Sequence, residues 1–132
     1  MGWRFDDDTA VDNHGNGRFV AQISGAWNID TNPNGGYLAA VAIAAMQQVG
    51  PYSDPLTVTV HFLRPATSGA PAEITAEAIR TGRRVSTVRA TLAQEKVGRL
   101  EVIGSFGQLG KTPSPILPVP PPSLPPPEEC LP

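Results

Sequence analysis

Asn34-Gly35-Gly36-Tyr37-Leu38-Ala39-Ala40-Val41-Ala42-Ile43-Ala44-Ala45-Met46 is the stretch that decides the fold. Residues 38–46 form an unbroken apolar run, so a helix over them has no side made for water. A helix that is apolar all round is either wrapped by protein or set in a membrane. A bilayer span needs about 20 apolar residues, and this run has nine. The helix is therefore expected to be wrapped by protein over residues 35–49, with Gly50-Pro51 as its stop. Asn34 stands at the N-cap, and two glycines leave bare N–H groups at the positive end of the helix dipole. An end of that kind suits binding or polarising an oxygen.

Working outward, the remaining pattern is strand-like up to about residue 107. Phe19-Val20-Ala21-Gln22-Ile23 reads as a strand, preceded by the turn His14-Gly15-Asn16-Gly17 and a partner strand around residues 8–11. Residues 27–34 read as loop, punctuated by Asp30, Asn32 and Pro33. Residues 56–63 alternate, with Val58, Val60 and Phe62 on one face and Thr57, Thr59 and His61 on the other. Residues 72–80 set Ile74, Ala76 and Ala78 opposite Glu73, Thr75 and Glu77. Residues 85–94 set Val88, Ala90 and Leu92 opposite Thr87, Arg89 and Thr91. Residues 99–106 place Leu100, Val102 and Phe106 on one side. The breaks Thr67-Ser68-Gly69, Thr81-Gly82 and Lys96-Val97-Gly98 are too short for parallel crossovers, so neighbouring strands are expected to be antiparallel. The expectation is an α+β domain over residues 1–109: a curved antiparallel sheet of five to six strands wrapped around one long apolar helix, the hot-dog arrangement.

Composition bounds the function. The chain has 132 residues, room for one ordinary domain, with ten Lys+Arg against twelve Asp+Glu. Near-balanced charge gives no electrostatic footprint for nucleic acid or an anionic membrane surface, and the few aromatics weaken a base-stacking role. One cysteine, Cys130, supports neither a disulfide framework nor a zinc cluster nor a Cys–His nucleophile within the chain. The first residues have no apolar signal-peptide core, and Asp6 stands where a myristoylation motif has Ser or Thr. A cytoplasmic location is the expectation. Ten of the fifteen prolines fall in residues 110–132, a composition that favours extended polyproline and reads as a linker or tail. A ligand for SH3 or WW modules is the other reading of that segment. A linker with nothing after it suggests the front part of a longer protein.

Val60-His61-Phe62-Leu63-Arg64-Pro65-Ala66, Arg80-Thr81-Gly82-Arg83-Arg84-Val85-Ser86-Thr87, Ala90-Thr91-Leu92-Ala93-Gln94 and Gly104-Ser105-Phe106 resemble the N-terminal hot-dog repeat of type II acyl-CoA thioesterases. The Asn34-Gly35-Gly36-Tyr37-Leu38-Ala39-Ala40 helix start matches the same repeat, so the resemblance spans about residues 15–107. Pro125-Pro126-Pro127-Glu128-Glu129-Cys130 is similar to the segment that joins the two repeats in part of that family. The resemblance implies a double hot-dog enzyme that hydrolyses acyl-CoA to free acid and CoA without metal or cofactor. It also implies a departure: the Asp, Thr and Gln that hold the attacking water lie in the family's second repeat, for which this sequence has no matching positions.

Thioester hydrolysis needs a polariser for the carbonyl and a group that activates water. Gly35 and Gly36 suit the first role, since backbone N–H groups aimed at an oxyanion are often the largest catalytic term and glycine allows close approach. Their other reading is a tight helix entry beneath the sheet. Asn34 either orients water or caps the helix, and Asp30 is either a base or a turn residue. His61 is either a base paired with Glu73 or Glu77 across strands or a packing or interface residue. Arg80, Arg83 and Arg84 surround one turn, with Arg64 and Arg89 nearby in sequence; the cluster either grips CoA phosphates or is a solvated turn. Tyr37, His61, Arg83 and Arg84 are the candidate substrate contacts, and Gln94 and Ser86 are expected to line the pocket or the interface between repeats.

Two functions follow. The first is an acyl-CoA thioesterase, or its N-terminal half. The second is a non-catalytic acyl-CoA-binding or structural half. A hot-dog dehydratase is disfavoured because neither histidine lies near the helix, and an adaptor acting through the proline-rich tail is a minor reading. A lone hot-dog leaves a sheet edge unpaired, so a homodimer or pairing with a second repeat is expected.

Overall fold

The computed structural model describes residues 2–110 and 119–130. In chain order its elements are α1 (Arg4–Asp8), β1 (Asp12–Asn13), β2 (Arg18–Gln22), a 3-10 turn at Gly25–Trp27, β3 (Asn28–Ile29), β4 (Asn32–Pro33), α2 (Gly35–Met46), β5 (Asp54–Phe62), β6 (Pro71–Thr81), β7 (Ser86–Gln94), β8 (Val97–Gly107) and a 3-10 turn at Pro127–Glu129. β3 and β4 make a small ribbon of their own, and the other strands form one six-stranded antiparallel sheet in the order β1-β2-β6-β7-β8-β5.

Period-two alternation sets which side of this sheet is dry. Ala72, Ile74 and Ala76 of β6, Val88, Ala90 and Leu92 of β7, and Leu100, Val102 and Phe106 of β8 are all buried. The register places them in rows across the sheet, Ile74 beside Leu92 and Leu92 beside Leu100, Ala76 beside Ala90 and Ala90 beside Val102. Against this surface α2 buries Tyr37, Leu38, Val41, Ala42, Ala45 and Met46. Alanines on both elements let helix and sheet approach closely, which close packing of the interior requires.

Several expectations change. The helix is covered along one side only: Ala39, Ala40, Ile43 and Ala44, on the other side, are half-buried and Gly36 is exposed. It also ends at Met46, where the chain tightens into turns, with Gln48 N–H on the Ala45 carbonyl and Val49 N–H on the Met46 carbonyl. Ala78 lies on the dry phase of β6 and pairs with the buried Val88, yet it is exposed, just before the register shift between Ala78 and Arg80.

The strand expected near residues 8–11 is replaced by α1 and a β1 that pairs Asp12 with Val20 and Asn13 with Phe19. Helix α1 is held there by Phe5, edge-on to Trp27 at 5.3 Å, and by Asp8, which accepts from the Trp27 indole N–H at 2.8 Å. The turn before β2 follows the reading of Gly15-Asn16-Gly17, whose φ values are all positive at 79°, 53° and 70°. At Gly17 a Cβ would lie 2.2 Å from the Ala76 carbonyl oxygen, so no side chain fits.

β5 and β6 are consecutive but not neighbours, since β5 pairs with β8 at the sheet's far edge. Short breaks imply antiparallel direction, which holds here, but they do not imply adjacency. Residues 63–70 reach roughly 26 Å when extended, against roughly 14 Å for three strand spacings. That segment crosses the end of the sheet and becomes one wall of the site described below.

The proline-rich reading is described only in part: residues 119–126 are exposed with no helix or strand, and residues 111–118 and 131–132 lie outside the described residues. Among the described residues no helix is long and apolar enough to cross a membrane.

Leu92 is fully buried on β7, whereas Ile103 is 43% exposed on β8. Leu92→Ala is expected to lower stability by about 2–5 kcal/mol and Ile103→Ala by no more than about 0.5 kcal/mol, read as shifts of the urea midpoint at constant slope.

Candidate active site at the start of the buried helix

Asn34 enters the helix in an extended conformation, and its side-chain Oδ1 accepts the Tyr37 N–H at 2.8 Å. Its Nδ2 donates to the Trp27 carbonyl at 2.7 Å, and its own backbone N–H donates to the same carbonyl at 2.9 Å. The capping reading of Asn34 therefore describes the geometry, and both ends of its amide are occupied. The Leu38 N–H goes to the Asn34 carbonyl at 3.2 Å. Among the described residues the N–H groups of Gly35 and Gly36 have no partner. They sit at the positive end of the α2 dipole, where a polarised oxygen is favoured. Gly35 also packs closely on Phe62: a Cβ there would lie 2.8 Å from Cζ, so the exposed ring would have to shift.

A groove of about 370 Å³ opens beside this turn, lined by Pro33, Gly35, Leu38, Phe62, Leu63, Arg64, Pro65 and Ala66. Its wall is mostly apolar, and Arg64 is its one cation among these residues. Among the described residues the Arg64 guanidinium makes no ion pair; the two pairs found there are Arg4–Asp8 and Arg89–Glu77.

The outer wall, residues 63–66, is fastened from behind. Gln94, 2% exposed at the end of β7, accepts the Thr67 N–H at 2.8 Å and donates to the Thr67 carbonyl at 2.8 Å. Arg99 Nη1 donates to the Pro65 carbonyl at 2.9 Å, and the Arg99 carbonyl receives the N–H groups of Leu63 and Arg64. Gln94 thus imitates a strand partner for a loop that has none. Its phase shows why: it follows Val88, Ala90 and Leu92 at period two, which turns it inward, and a buried amide demands partners. Ser86 shares that phase and is buried beside Gly50, where a Cβ would sit 3.2 Å from its Oγ.

The remaining candidates lie elsewhere. Tyr37, expected to touch substrate, is 2% exposed, its ring stacked on Trp27 at 6.0 Å. Its hydroxyl donates to the Asp8 carbonyl at 2.8 Å and accepts the Ser24 N–H at 2.9 Å, so it ties the N-terminal segment to the helix. Burial raises its phenol above the ordinary range. His61 is exposed, and the residue across from it is Glu101 of β8, in place of the expected Glu73 or Glu77. Glu77 is paired with Arg89, and Glu101 accepts from Thr91 Oγ1 at 2.9 Å. Asp30 is the exposed tip of the β3–β4 ribbon with φ 58°, a turn residue.

Arg83 and Arg84 occupy the exposed β6–β7 turn, whose carbonyls at Gly82 and Arg83 receive the Tyr52 hydroxyl. Gly50 packs on Ser86 at the start of β7, so this turn flanks the C-terminal end of α2. A twelve-residue helix is roughly 18 Å long. Within one chain, then, Gly35 lines the groove and Gly36 follows it in the same helix turn, while His61, Arg83 and Arg84 are not among the lining residues. Among the described residues no group of three or more His, Cys, Asp or Glu is placed to hold a metal.

An antiparallel sheet laid on a single apolar helix, with the helix start open to a groove, defines a hot-dog domain. A solved protein of unknown function with hot dog fold from Alicyclobacillus acidocaldarius superposes with a TM-score of 0.78 at 29% identity, covering 98% of this chain and 48% of that one. The family model for the acyl-CoA thioesterase N-terminal domain matches residues 23–107, and the chain belongs to that family. A candidate thioesterase II from Thermobifida fusca YX is 34% identical, with a TM-score of 0.86 over 96% of this chain and 47% of its own. The tesB protein of Mycobacterium avium subs paratuberculosis is 27% identical, with a TM-score of 0.73 over 94% of this chain and 48% of its own. The chain spans about half the length of these solved relatives.

Gln94→Leu strands two backbone groups of Thr67, each worth about 1–3 kcal/mol when left unpaired. The urea midpoint is expected to fall, and hydrogen exchange at the Thr67 amide to accelerate more than at Ala90 in mid-sheet. Tyr37→Phe is expected to cost about 1–3 kcal/mol at neutral pH by orphaning the Ser24 N–H. Because the folded phenol titrates above its unfolded value, its contribution is complete below about pH 10 and is lost as pH rises through the folded value. The stability gap between wild type and Tyr37→Phe should therefore narrow above about pH 10, which pH-resolved urea titrations measure.

Proposed function

We propose that this chain is the N-terminal hot-dog half of an acyl-CoA thioesterase and that the Gly35 and Gly36 amides polarise the thioester carbonyl. The observation that supports the reading is an apolar groove lined by Gly35 at the start of α2, where the Gly35 and Gly36 N–H groups have no partner among the described residues. Membership in the acyl-CoA thioesterase N-terminal domain family supports it. Water adds to the carbonyl carbon, charge gathers on the oxygen, the C–S bond breaks, and the CoA sulfur takes up a proton. Each amide aimed at that oxygen is worth roughly 3 kcal/mol in the transition state.

The groove lining holds no carboxylate and no imidazole. In this reading the group that activates water comes from a second hot-dog repeat. The same observation favours the alternative, a half that binds acyl-CoA without turning it over.

Arg64 at the groove is placed for an anionic part of CoA. Arg83 and Arg84, at the other end of α2, would serve CoA held by a partner repeat. That partner, a second repeat or a second copy, would pair along β5, a nine-residue strand bonded among the described residues only to β8. Residues 1–109 would be the catalytic half-domain and residues 110–132 the linker. The setting would be fatty-acid metabolism in the cytoplasm, with no cofactor.

A thiol-trapping assay for released CoA tests this. A polypeptide extended through a second repeat is expected to hydrolyse acyl-CoA, and the 132-residue chain to bind it without turnover. Full activity of the short chain would place the base within these residues and sink the divided site. In the extended enzyme, Arg64→Gln should raise KM roughly tenfold with kcat nearly unchanged, an effect that shrinks with added salt.

A further inference from the structure

Asp6-Asp7-Asp8 is a run of three carboxylates, of which only the third turns inward: Asp6 and Asp7 are exposed, while Asp8 is half-buried. Its Oδ2 accepts the Trp27 indole N–H at 2.8 Å. From there the hydrogen bonds run in a circle. The Trp27 carbonyl accepts Asn34 Nδ2 at 2.7 Å, Asn34 Oδ1 accepts the Tyr37 N–H at 2.8 Å, and the Tyr37 hydroxyl donates to the Asp8 carbonyl at 2.8 Å. Four residues from three separate parts of the chain thus close a ring, and the backbone it spans between Asn34 and Tyr37 is Gly35-Gly36. Asn34 and Tyr37 are tied down a second time, by the Asn34 N–H on the Trp27 carbonyl and the Ser24 N–H on the Tyr37 hydroxyl. The Trp27 indole N–H is tied to Asp8. Asp8 is the member that α1 supplies, from a helix of five residues.

We propose that Asp8 is a positioning residue for the polarising turn: by fixing Trp27 it fixes the Asn34 cap, and so sets where the Gly35 and Gly36 amides point at a bound carbonyl. The inference rests on the acyl-CoA reading above, and it ties α1 to the site although none of its residues lines the groove. Glycine has no side chain to restrict its backbone, so these amides take their direction from what holds their two neighbours. Donors stabilise an oxyanion only from about 2.7–3.1 Å, and a misplacement of about 1 Å caused far from the chemistry is enough to cost rate. With Asp8 cut back, the indole N–H loses its acceptor and the Trp27 carbonyl its anchor, so cap and glycines shift together.

A ketone analogue of butyryl-CoA, with a methylene in place of the thioester sulfur and an isotopic label at the carbonyl carbon, reads polarisation without turnover. Its carbon resonance moves downfield as the oxygen accepts hydrogen bonds. At saturation on the 132-residue chain, the labelled carbon is expected downfield of the free probe. Asp8→Ala and Trp27→Phe should each lose most of that displacement while binding within about tenfold of wild type. Both break the same link, so the double variant should lose no more than either alone. Asp8→Asn, whose amide oxygen still accepts from the indole, should keep the displacement. Arg4→Gln, which removes the exposed ion-pair partner of Asp8, should leave it unchanged. Hydrogen exchange at the Tyr37 amide should quicken about tenfold in Asp8→Ala and Trp27→Phe, with Ala45 and Val88 unaltered.

A folded Asp8→Ala that keeps the full displacement overturns the role of Asp8. So does a loss matched by faster exchange at Ala45 and Val88, which marks general loosening. Loss of binding in either folded variant overturns it too, because a misdirected amide leaves the groove itself intact. Circular dichroism checks folding, and Trp27→Phe, which keeps an aromatic ring and the carbonyl, decides the matter should Asp8→Ala fail to fold. No displacement on wild type, or no binding, overturns the polarising reading itself, and the wild-type spectrum tells the two failures apart.

Discussion

One buried side of α2 carries the weight of this domain. Val41, Ala42, Ala45 and Met46 have no exposed surface, and they lie on a sheet floor of Ala72, Ile74, Ala90 and Leu92. Burial of a Val, Leu, Ile or Met side chain contributes about 1.5–3 kcal/mol each, and the alanines contribute mainly by letting the larger neighbours touch. A larger residue at Ala42 or Ala45 would lift the helix and break several contacts at once, because close-packed interiors do not absorb added volume. The sheet depends on the helix in return. Among the described residues its dry face has no second sheet to cover it, so without α2 the rows across β6, β7 and β8 would face water.

Seating the helix this way also decides where its ends point. The C-terminal end runs into Gly50 and Ser86 beneath the β6–β7 turn, while the N-terminal end emerges at the loop of residues 63–66. A chain of small constraints fixes that second end. Trp27 gives its carbonyl to Asn34 and its indole N–H to Asp8, and Tyr37 joins the Asp8 carbonyl to the Ser24 N–H. On the other flank Gln94 holds Thr67, and Arg99 holds Pro65. The groove between these flanks is accordingly bounded by a capped helix start and a loop tied down by hydrogen bonds, the kind of fixed frame that the proposed polarising role requires.

The parts legible in the sequence were those governed by local periodicity. Alternation in β5, β7 and β8 marked their inward faces, the apolar run marked the helix, and Gly15-Asn16-Gly17 marked a turn that only left-handed backbone makes. What local pattern does not encode is adjacency. β5 and β6 are separated by a short loop yet stand three strands apart, because residues 63–70 have reach to spare and the sheet order is set by the packing of faces. The same blindness moved His61's partner from Glu73 or Glu77 to Glu101, and it took Tyr37 from the groove to the Asp8–Ser24 network. Helix α1 was hidden because its stability is not its own: five residues are too few to fold alone, and Trp27 supplies what they lack. Gln94 was within reach of reasoning, since its phase turns it inward, but which loop it would hold was a question of sheet order.

The separation of candidate residues has a chemical logic. Polarising a carbonyl can be done by backbone, and in the proposed reading Gly35 and Gly36 do it with only a capped helix start and the absence of side chains. Activating water needs a titratable or hydrogen-bonding side chain with a tuned environment, which has to project into the site from some neighbouring surface. Here the near surfaces are filled: Phe62 sits on Gly35, Asn34 is spent on the cap, and the wall of residues 63–66 offers one arginine and no base. In the proposed reading such a domain is finished by a neighbour, and the edge strand β5, ending at Phe62 beside that groove, is where a neighbouring sheet would bring the missing base.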